Sequence, residues 1–453
     1  MLPRESGGCS KGLDTARWGR GCDIGSRVSS KALQAPRGTR DFYPEDFRFR
    51  EWLFDHFRAV ARSFGFEGVD APVLEYADLF TRKAGEEIVD QLYHFELHGR
   101  RYALRGEITP SIARMVMARA GSLRLPLRWA SIPQCWRYER MSRGRRREHY
   151  QWNMDIWGEP GVTAEAELIA AVFQLLDRLG LSRGDVRIGV SNRALLEETL
   201  RGGVLRERPE VFPALCVAID KLEKIGADGV VDLLSDPSGA VGLAAPEARD
   251  VVDWLALRDV SLAAREAPPG SRAHADLLRL FELLEAYGVA DRVAFDASIV
   301  RGLAYYTGIV FEVFDAERKL RALCGGGRYD HLLETLGGPA IPAVGFGFGD
   351  AVIAELLADR GLLPSCPRDL DAVVFAFGDA ERPAAVRLAM DLRADGASVE
   401  LVLGEVRLKR ALADADRSGA RRIYLLGPDE VSRGVALVRD LESGEQSDRP
   451  LSR

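Results

Sequence analysis

The sequence lacks the cysteine and histidine patterns that form disulfides or bind metals. Its six cysteines are scattered through 453 residues, and no two of them form a Cys-x-x-Cys pair. This scatter argues against a disulfide framework and a cysteine-based zinc site, and it favours a reducing compartment, the cytoplasm. The six histidines form no metal-ligand pattern either, so we expect no metal site built from protein ligands alone.

Long apolar runs and an excess of positive charge are also absent. No run is long enough to cross a membrane and no signal-peptide core follows Met1, so we predict no contact with a membrane. The formal net charge is −6, so any contact with nucleic acid must come from a local basic patch. With 47% hydrophobic and 29% charged residues, the composition is that of a globular protein, and the length predicts two or three domains.

The start of the chain, residues 1–34, has the composition of a disordered tail. It is rich in Gly, Ser and Arg and shows no hydrophobic periodicity. A mis-assigned start codon would explain the same composition, and a transit peptide is a weaker alternative. Beyond it, apolar residues recur every three or four positions, which predicts an amphipathic helix over 45–64. The next segment, 69–74, predicts an edge strand because it contains Pro72.

The rest of the chain changes character twice. Residues 193–285 contain helical segments separated by Pro- and Gly-rich loops, which predicts a helical insertion. Strand-like, glycine-rich sequence then returns at 299–314 and 324–330. After a break at 363–367, strand and helix patterns alternate, which predicts a small sheet with crossover helices. The candidates are strands at 371–377, 398–403 and 422–426 and helices at 382–395 and 406–418.

An arginine-rich loop lies between two strand-like stretches within residues 136–156, which predicts an antiparallel hairpin. Guanidinium groups bind phosphate oxygens in pairs, so the loop suits a triphosphate or an RNA backbone; a solvated charged turn is the alternative. Gln151 and Asp155 follow at alternating spacing and therefore share one face of the second strand. The loop arginines are Arg137, Arg140, Arg143, Arg145, Arg146 and Arg147.

This hairpin resembles the second signature motif of class II aminoacyl-tRNA synthetases, and in detail that of the histidyl-tRNA synthetase family. The stretches IVRGLAYYTG at 299–308 and CGGGRYD at 324–330 resemble the two histidine-specific signatures of that family. LRGEITP at 104–110 and GTRDF at 38–42 also match. Five motifs in the family's order extend the resemblance over roughly residues 35–445.

The resemblance implies an α+β fold and a division into domains. We expect a class II synthetase-like catalytic domain, with a mixed, mainly antiparallel sheet flanked by helices, formed by residues 35–192 and 286–360. The helical insertion at 193–285 would interrupt it. Residues 369–453 resemble the α/β anticodon-binding domain of this subclass. The family also implies a homodimer that forms through the helix at 45–64 and the strand after it.

The implied reaction joins histidine to its tRNA in two steps. The histidine carboxylate attacks the α-phosphorus of ATP and expels pyrophosphate, and the histidyl group then passes to the 3′ end of histidine tRNA. The attacking carboxylate and the ATP phosphates are both negatively charged, so the site must neutralise this charge. No protein nucleophile is needed. By resemblance, Arg137 and Arg301 are the catalytic residues and both bind ATP, Arg145 binds the outer phosphates, and Mg²⁺ accompanies ATP.

The resemblance also assigns the histidine pocket. The substrate's amino group is a cation that needs hydrogen-bond acceptors, and its imidazole needs partners for two ring nitrogens. Thr109, Gln151 and Asp155 match the family's positions for the amino group. Glu107 and Tyr306 match those for the imidazole, and Tyr305 and Tyr329 line the pocket.

One motif departs from the family pattern. The third motif often ends in an arginine, but GFGFGDAV at 345–352 contains none. This ending resembles a variant branch of the same synthetases, such as the plant organellar ones. Asp350 would cap a helix or help to hold Mg²⁺.

Two alternatives to a synthetase stay open. The first is a non-catalytic paralogue, such as the regulatory subunit that partners a phosphoribosyltransferase in histidine synthesis. The second is an RNA-binding module without catalysis. Retention of Arg137, Glu107 and Arg301, together with a full C-terminal domain, favours the synthetase.

Overall fold

The protein is described by a computed structural model that covers residues 33–81, 91–300 and 305–452. Arg301 and residues 1–32 of the predicted tail lie outside the described residues. The first elements are α1 (Pro44–Ser63), β1 (Glu67–Gly68), β2 (Leu74–Tyr76), α2 (Asp78–Thr81), β3 (His94–Leu97), β4 (Arg100–Leu104), α3 (Thr109–Arg119), β5 (Leu127–Ser131), β6 (Gln134–Trp136), β7 (Glu148–Trp157), α4 (Thr163–Arg178) and β8 (Val186–Asn192).

A run of helices follows, and strands then return. The helices are α5 (Arg193–Gly202), α6 (Phe212–Ile219), α7 (Leu222–Ser235), α8 (Ala245–Leu255), α9 (Val260–Glu266) and α10 (Arg272–Ala286). The elements after them are β9 (Val293–Phe295), β10 (Ile309–Asp315), β11 (Cys324–Arg328), α11 (Leu332–Thr335), β12 (Ala343–Gly349) and α12 (Asp350–Asp359).

A large mixed sheet organises the catalytic part. Within the described ranges it has nine strands in the order β1-β5-β7-β12-β11-β10-β8-β9, with β6 paired beside β7. The pairs β1/β5 and β8/β9 are parallel and the others are antiparallel. A smaller antiparallel sheet has the order β2-β4-β3. The predicted α+β fold class, with its mainly antiparallel sheet, is confirmed.

The predicted amphipathic helix is confirmed as α1. Proline occupies its first turn, where a backbone N–H is not needed, and Arg62 lies in its last turn, where the helix dipole favours a cation. Its apolar face is buried against the large sheet, where the ring of Phe57 stacks on Trp152 with centroids 5.1 Å apart. The predicted edge strand at 69–74 is wrong in extent, since pairing stops at Gly68 and resumes at Leu74. Between them the Arg105 guanidinium donates to Ala71 O at 2.6 Å.

The helices of the predicted insertion pack onto the catalytic sheet through a shared core. Buried residues of α5 and α10, such as Leu195 and Leu277, belong to the same apolar cluster as Phe173 of α4 and Val190 of β8. The insertion therefore contributes to the stability of the catalytic core. Its boundaries as a domain stay a prediction.

The C-terminal part has its own sheet, in the order β14-β13-β15-β16-β17. The first three strands in this order are parallel, as the predicted crossover helices require, and the last two pair antiparallel. The two apolar clusters on its faces are separate from the main core. The elements are β13 (Ala372–Ala376), α13 (Arg382–Ala394), β14 (Val399–Leu401), α14 (Leu408–Arg417), β15 (Arg422–Leu426), α15 (Pro428–Ser432), β16 (Val435–Asp440) and β17 (Gln446–Pro450).

Candidate active site

The centre of the candidate site is one face of β7 above two glycines of β12. Gln151 and Asp155 point to this face, as their spacing predicted, while Trp152 and Met154 point into the core. A β-carbon at position 345 would overlap the Asp155 carboxylate, and one at position 347 would overlap the Gln151 amide. The glycines of the third motif thus leave the space that these two polar side chains occupy.

Asp155 is a buried carboxyl with an unusual protonation equilibrium. Burial raises its pKa to about 7, with the hydrogen bond from the Tyr329 hydroxyl opposing the rise and the nearby Glu107 charge contributing to it. The carboxyl is therefore partly protonated near neutral pH. A cation bound beside it would favour the ionised form, so the site is poised to accept an ammonium group.

Three tyrosines and Glu107 form a pocket beside this face. The Tyr305 hydroxyl donates to Glu107 Oε2 at 2.9 Å. The ring of Tyr305 lies 5.1 Å from that of Tyr306 and 5.7 Å from that of Tyr329, measured between centroids. The structure thus brings the predicted pocket residues together. It places Tyr305 as the hydroxyl partner of Glu107, whereas the ring of Tyr306 packs over Gly327 of β11.

Thr109 follows Glu107 by two residues in the sequence. It is the first residue of α3 and is buried. Arg328, from the second histidine-specific signature, forms a buried two-point ion pair with Glu165, with N–O distances of 2.6 and 2.7 Å. This pair ties the end of β11 to α4 and so fixes the backbone that carries Tyr329. Arg328 therefore has a structural role.

The predicted arginine-rich hairpin is confirmed by the pairing of β6 with β7. Arg137 follows β6 and donates from Nε to Gly106 O at 2.9 Å, next to Glu107. Arg145 pairs with the Glu139 carboxylate, so a phosphate at Arg145 would compete with that carboxylate. Arg143 reaches α12, where its N–O distances are 2.9 Å to Glu355 and 2.5 Å to Asp359.

A histidine with a lowered pKa lies close to these arginines. His149 lies two residues before Gln151 on β7 and therefore on the same face of this strand. Burial, with a smaller contribution from Arg137, Arg40 and Arg145, lowers its pKa to about 3. The imidazole is therefore neutral at physiological pH. Converging guanidinium groups of this kind suit a polyanion such as a triphosphate.

Asp350 does not cap a helix as expected, and its expected role in holding Mg²⁺ stays a prediction. It is the first residue of α12, and the cap position belongs to Gly349. Its carboxylate accepts from Tyr150 N–H at 2.9 Å and pairs with Arg40 at 3.0 Å, while Arg40 also pairs with Glu148 at 3.0 Å. Burial raises the pKa of Asp350, and Arg40 opposes that shift. Within the described residues, no three or more His, Cys, Asp and Glu side chains form a group that could hold a metal.

The sequence patterns did not identify two polar residues on the face that carries Gln151 and Asp155. Asn153 lies between Gln151 and Asp155 on β7, and Ser131 lies directly opposite it on β5. Both are buried, with 4% and 6% of their surface exposed. The alternation along β7 was a sufficient signal for Asn153. Ser131 could be recognised only from the register of β5 against β7, which pairs it with Asn153.

This sheet and its arginine-rich hairpin define an aminoacyl-tRNA synthetase of class II. Residues 38–349 match the family described as histidyl-tRNA synthetase, and residues 371–453 match the family described as anticodon binding domain. The chain belongs to the histidyl-tRNA synthetase family.

Individual relatives agree with this assignment. The histidine–tRNA ligase, chloroplastic/mitochondrial, of Arabidopsis thaliana is 50% identical over 421 residues, or 93% of this chain and 85% of the relative. A histidine–tRNA ligase of Opitutus terrae is 40% identical, over 92% of this chain and 96% of the relative. The crystal structure of histidyl-tRNA synthetase from Nostoc sp. PCC 7120 has the same fold, with a TM-score of 0.73, 24% identity, and coverage of 92% and 97% of the two chains. No helix among the described residues is both long and apolar enough to span a bilayer.

Proposed function

We propose that this chain activates histidine with ATP, releasing pyrophosphate, and transfers the histidyl group to the 3′ end of histidine tRNA. The observation that carries this proposal is the meeting of two opposite environments. A buried carboxyl, Asp155, and a tyrosine pocket closed by Glu107 lie beside a hairpin of converging arginines. The first environment suits an amino acid with a basic ring, and the second suits a triphosphate.

Activation requires charge neutralisation at the α-phosphate. Arg137, held by the Gly106 carbonyl, lies at the junction of the two environments and supplies a fixed guanidinium on one side. We propose that Arg301, which lies outside the described residues, supplies the other and also holds the histidine carboxylate. Arg145 would bind the outer phosphates after releasing Glu139. The substrate carboxylate is itself the nucleophile, so the protein needs only to orient and stabilise.

Recognition of histidine divides between two faces of the site. Thr109, Gln151 and Asp155 accept hydrogen bonds from the α-ammonium group, and ionisation of Asp155 on binding adds a charge contact. Glu107 accepts from the imidazole. Tyr305 orients the Glu107 carboxylate by donating to its other side. Tyr306 and Tyr329 wall the pocket and exclude larger rings.

The third motif supports membership of a variant branch of the family. At the end of this motif, where the family often has an arginine, β12 leads into Asp350. The Asp350 carboxylate pairs with Arg40. Half of the aligned residues are identical in the plant organellar relative. We propose that Mg²⁺ arrives with the ATP phosphates. Such Mg²⁺ ions keep several waters and use only one or two protein carboxylates.

The C-terminal domain offers a place for tRNA. Helices α13 and α14 pack on opposite faces of the sheet, and the loops that follow the parallel strands β13 and β14 leave the sheet at the same edge. Phe377 and Leu403 lie in these two loops and are 51% and 82% exposed. Arg407 and Lys409, which follow Leu403 in the sequence, are exposed as well. Unpaired bases stack on exposed apolar rings and basic groups bind the phosphates, so we propose that the anticodon loop binds here.

A homodimer is proposed from the family resemblance, and an exposed aromatic surface supports it. The apolar face of α1 is already buried within the chain, so the contact needs other residues. Tyr76, Tyr102 and Phe95 stack in register across β2, β4 and β3, with centroid distances of 5.4 and 5.9 Å. Tyr76 and Phe95 are about half exposed. Exposed apolar patches of this kind mark protein contacts.

A cytoplasmic location is proposed from the thiols. Of the cysteines that the structure describes, Cys135, Cys216, Cys324 and Cys366 form no disulfide. Cysteines outside disulfides are typical of a reducing compartment.

Pyrophosphate exchange driven by each of the twenty amino acids tests the activation step. We expect exchange with histidine alone. Exchange with another amino acid, or none at all from a folded protein, would contradict the proposal.

A further inference from the structure

Asn153 occupies the middle of the polar row on β7, yet it has no part in the reaction described above. Its neighbours along the strand, Gln151 and Asp155, both contact the substrate in the proposed function. Across the sheet it faces Ser131 of β5 on one side and Gly347 of β12 on the other. It therefore lies on the floor of the amino acid site.

This floor carries several polar atoms that have no partner among the described residues. Asn153 Oδ1, Ser131 Oγ and Gln151 Oε1 are all buried, and none has a hydrogen-bond partner within the described part of the chain. Buried side-chain polar atoms are normally paired in folded proteins. Three unpaired atoms on neighbouring positions of one face indicate a bound group that pairs with them.

The chemistry of these atoms selects a donor with positive charge. The amide oxygens of Asn153 and Gln151 accept hydrogen bonds, and the Asp155 carboxyl beside them gains from a nearby cation. The Gln151 side chain lies over Gly347, which is the register partner of Asn153, so the two amides are adjacent. An ammonium group has three N–H donors and no acceptor, so it pairs with acceptor atoms alone, and the adjacent amide oxygens of Asn153 and Gln151 can share one donor.

We propose that Asn153 is a specificity-determining residue that accepts a hydrogen bond from the substrate's α-ammonium group through Oδ1. The inference rests on the proposed function, because the ammonium belongs to the histidine substrate. Ser131 borders the same floor and is a positioning residue that keeps it polar. Asn153 thereby selects for a free α-amino group, while the tyrosine pocket selects for the ring.

Two histidine analogues separate this role from a structural one. Histidinol keeps the α-ammonium group and lacks the carboxylate, whereas imidazolepropionate keeps the carboxylate and lacks the ammonium. Calorimetry would measure the binding of each to the wild-type chain, to Asn153→Leu, which keeps the volume, and to Asn153→Asp, which keeps an acceptor oxygen. Thermal melts would establish that each variant is folded.

The expected result is selective. Asn153→Leu should bind histidinol about 10- to 100-fold more weakly, because a hydrogen bond to a charged group is lost. Its affinity for imidazolepropionate should stay within about threefold, and Asn153→Asp should retain histidinol binding.

Three results would count against the inference. Equal weakening of both analogues would assign Asn153 a structural role and overturn it, as would unchanged histidinol binding in Asn153→Leu. Failure of Asn153→Asp to retain histidinol would also overturn it. If the wild-type chain binds neither histidine nor histidinol, the proposed function itself fails.

Discussion

Substituting Asp155 by asparagine should stabilise the free protein while it removes activity. Burial raises the pKa of this carboxyl from 3.8 to about 7, so the folded chain holds its proton more tightly than the unfolded chain. Stability is therefore lost as pH rises above 3.8, because ionisation is easier in the unfolded state. A shift of about three units corresponds to about 4 kcal/mol at pH 7 and above, and to about 2 kcal/mol at pH 5. Asparagine has no ionisation to lose and still accepts from the Tyr329 hydroxyl.

Thermal unfolding of the wild type and Asp155→Asn from pH 5 to pH 8 measures this difference. The variant should melt higher, and the gap should widen up to about pH 7 and then level off. Asp228→Asn, at a position that is 88% exposed, is the matched control and should show no such trend. A gap that is absent, reversed or independent of pH would refute the reasoning. Histidine-dependent exchange should fall in the same variant, because the carboxylate for the ammonium is gone.

Three further substitutions or deletions test separate parts of the account. Arg301→Ala should lower adenylate formation by about 10²–10³ in a chain that stays folded, and near-normal exchange would remove Arg301 from the mechanism. Glu107→Gln keeps the volume and should raise the KM for histidine by about 10- to 100-fold with the KM for ATP little changed; equal histidine dependence would show that Glu107 does not read the imidazole. Deleting residues 369–453 should leave histidine activation largely intact and cut tRNA aminoacylation, since that domain has its own core. Full aminoacylation by the truncated chain would show that this domain does not read the anticodon.

Local periodicity predicted the features that depend on one element. The spacing of Phe57 and its neighbours predicted α1, and the alternation of Gln151 and Asp155 predicted their shared face. Both follow from the geometry of a single helix or strand. The strand at 69–74 was wrong in extent: between β1 and β2, Ala71 O accepts from the Arg105 guanidinium, a long-range partner that no local pattern contains.

The pairings within the site could not be predicted, because they join distant segments. Tyr305 meets Glu107 across 198 positions, and Tyr329 meets Asp155 across 174. From the sequence alone, the hydroxyls of the adjacent Tyr305 and Tyr306 are equally good candidates to bond Glu107. The path of the backbone decides that Tyr305 reaches the Glu107 carboxylate. The same holds for Asp350, whose partner Arg40 lies near the opposite end of the catalytic part.

Charging of tRNA tests the central claim most directly. The purified chain is incubated with ATP, Mg²⁺, labelled histidine and a histidine tRNA transcript, and the label attached to tRNA is measured. The account predicts histidine esterified at the 3′ end, dependent on ATP and lost when the terminal ribose is oxidised. A folded chain that leaves histidine tRNA uncharged under these conditions would contradict it.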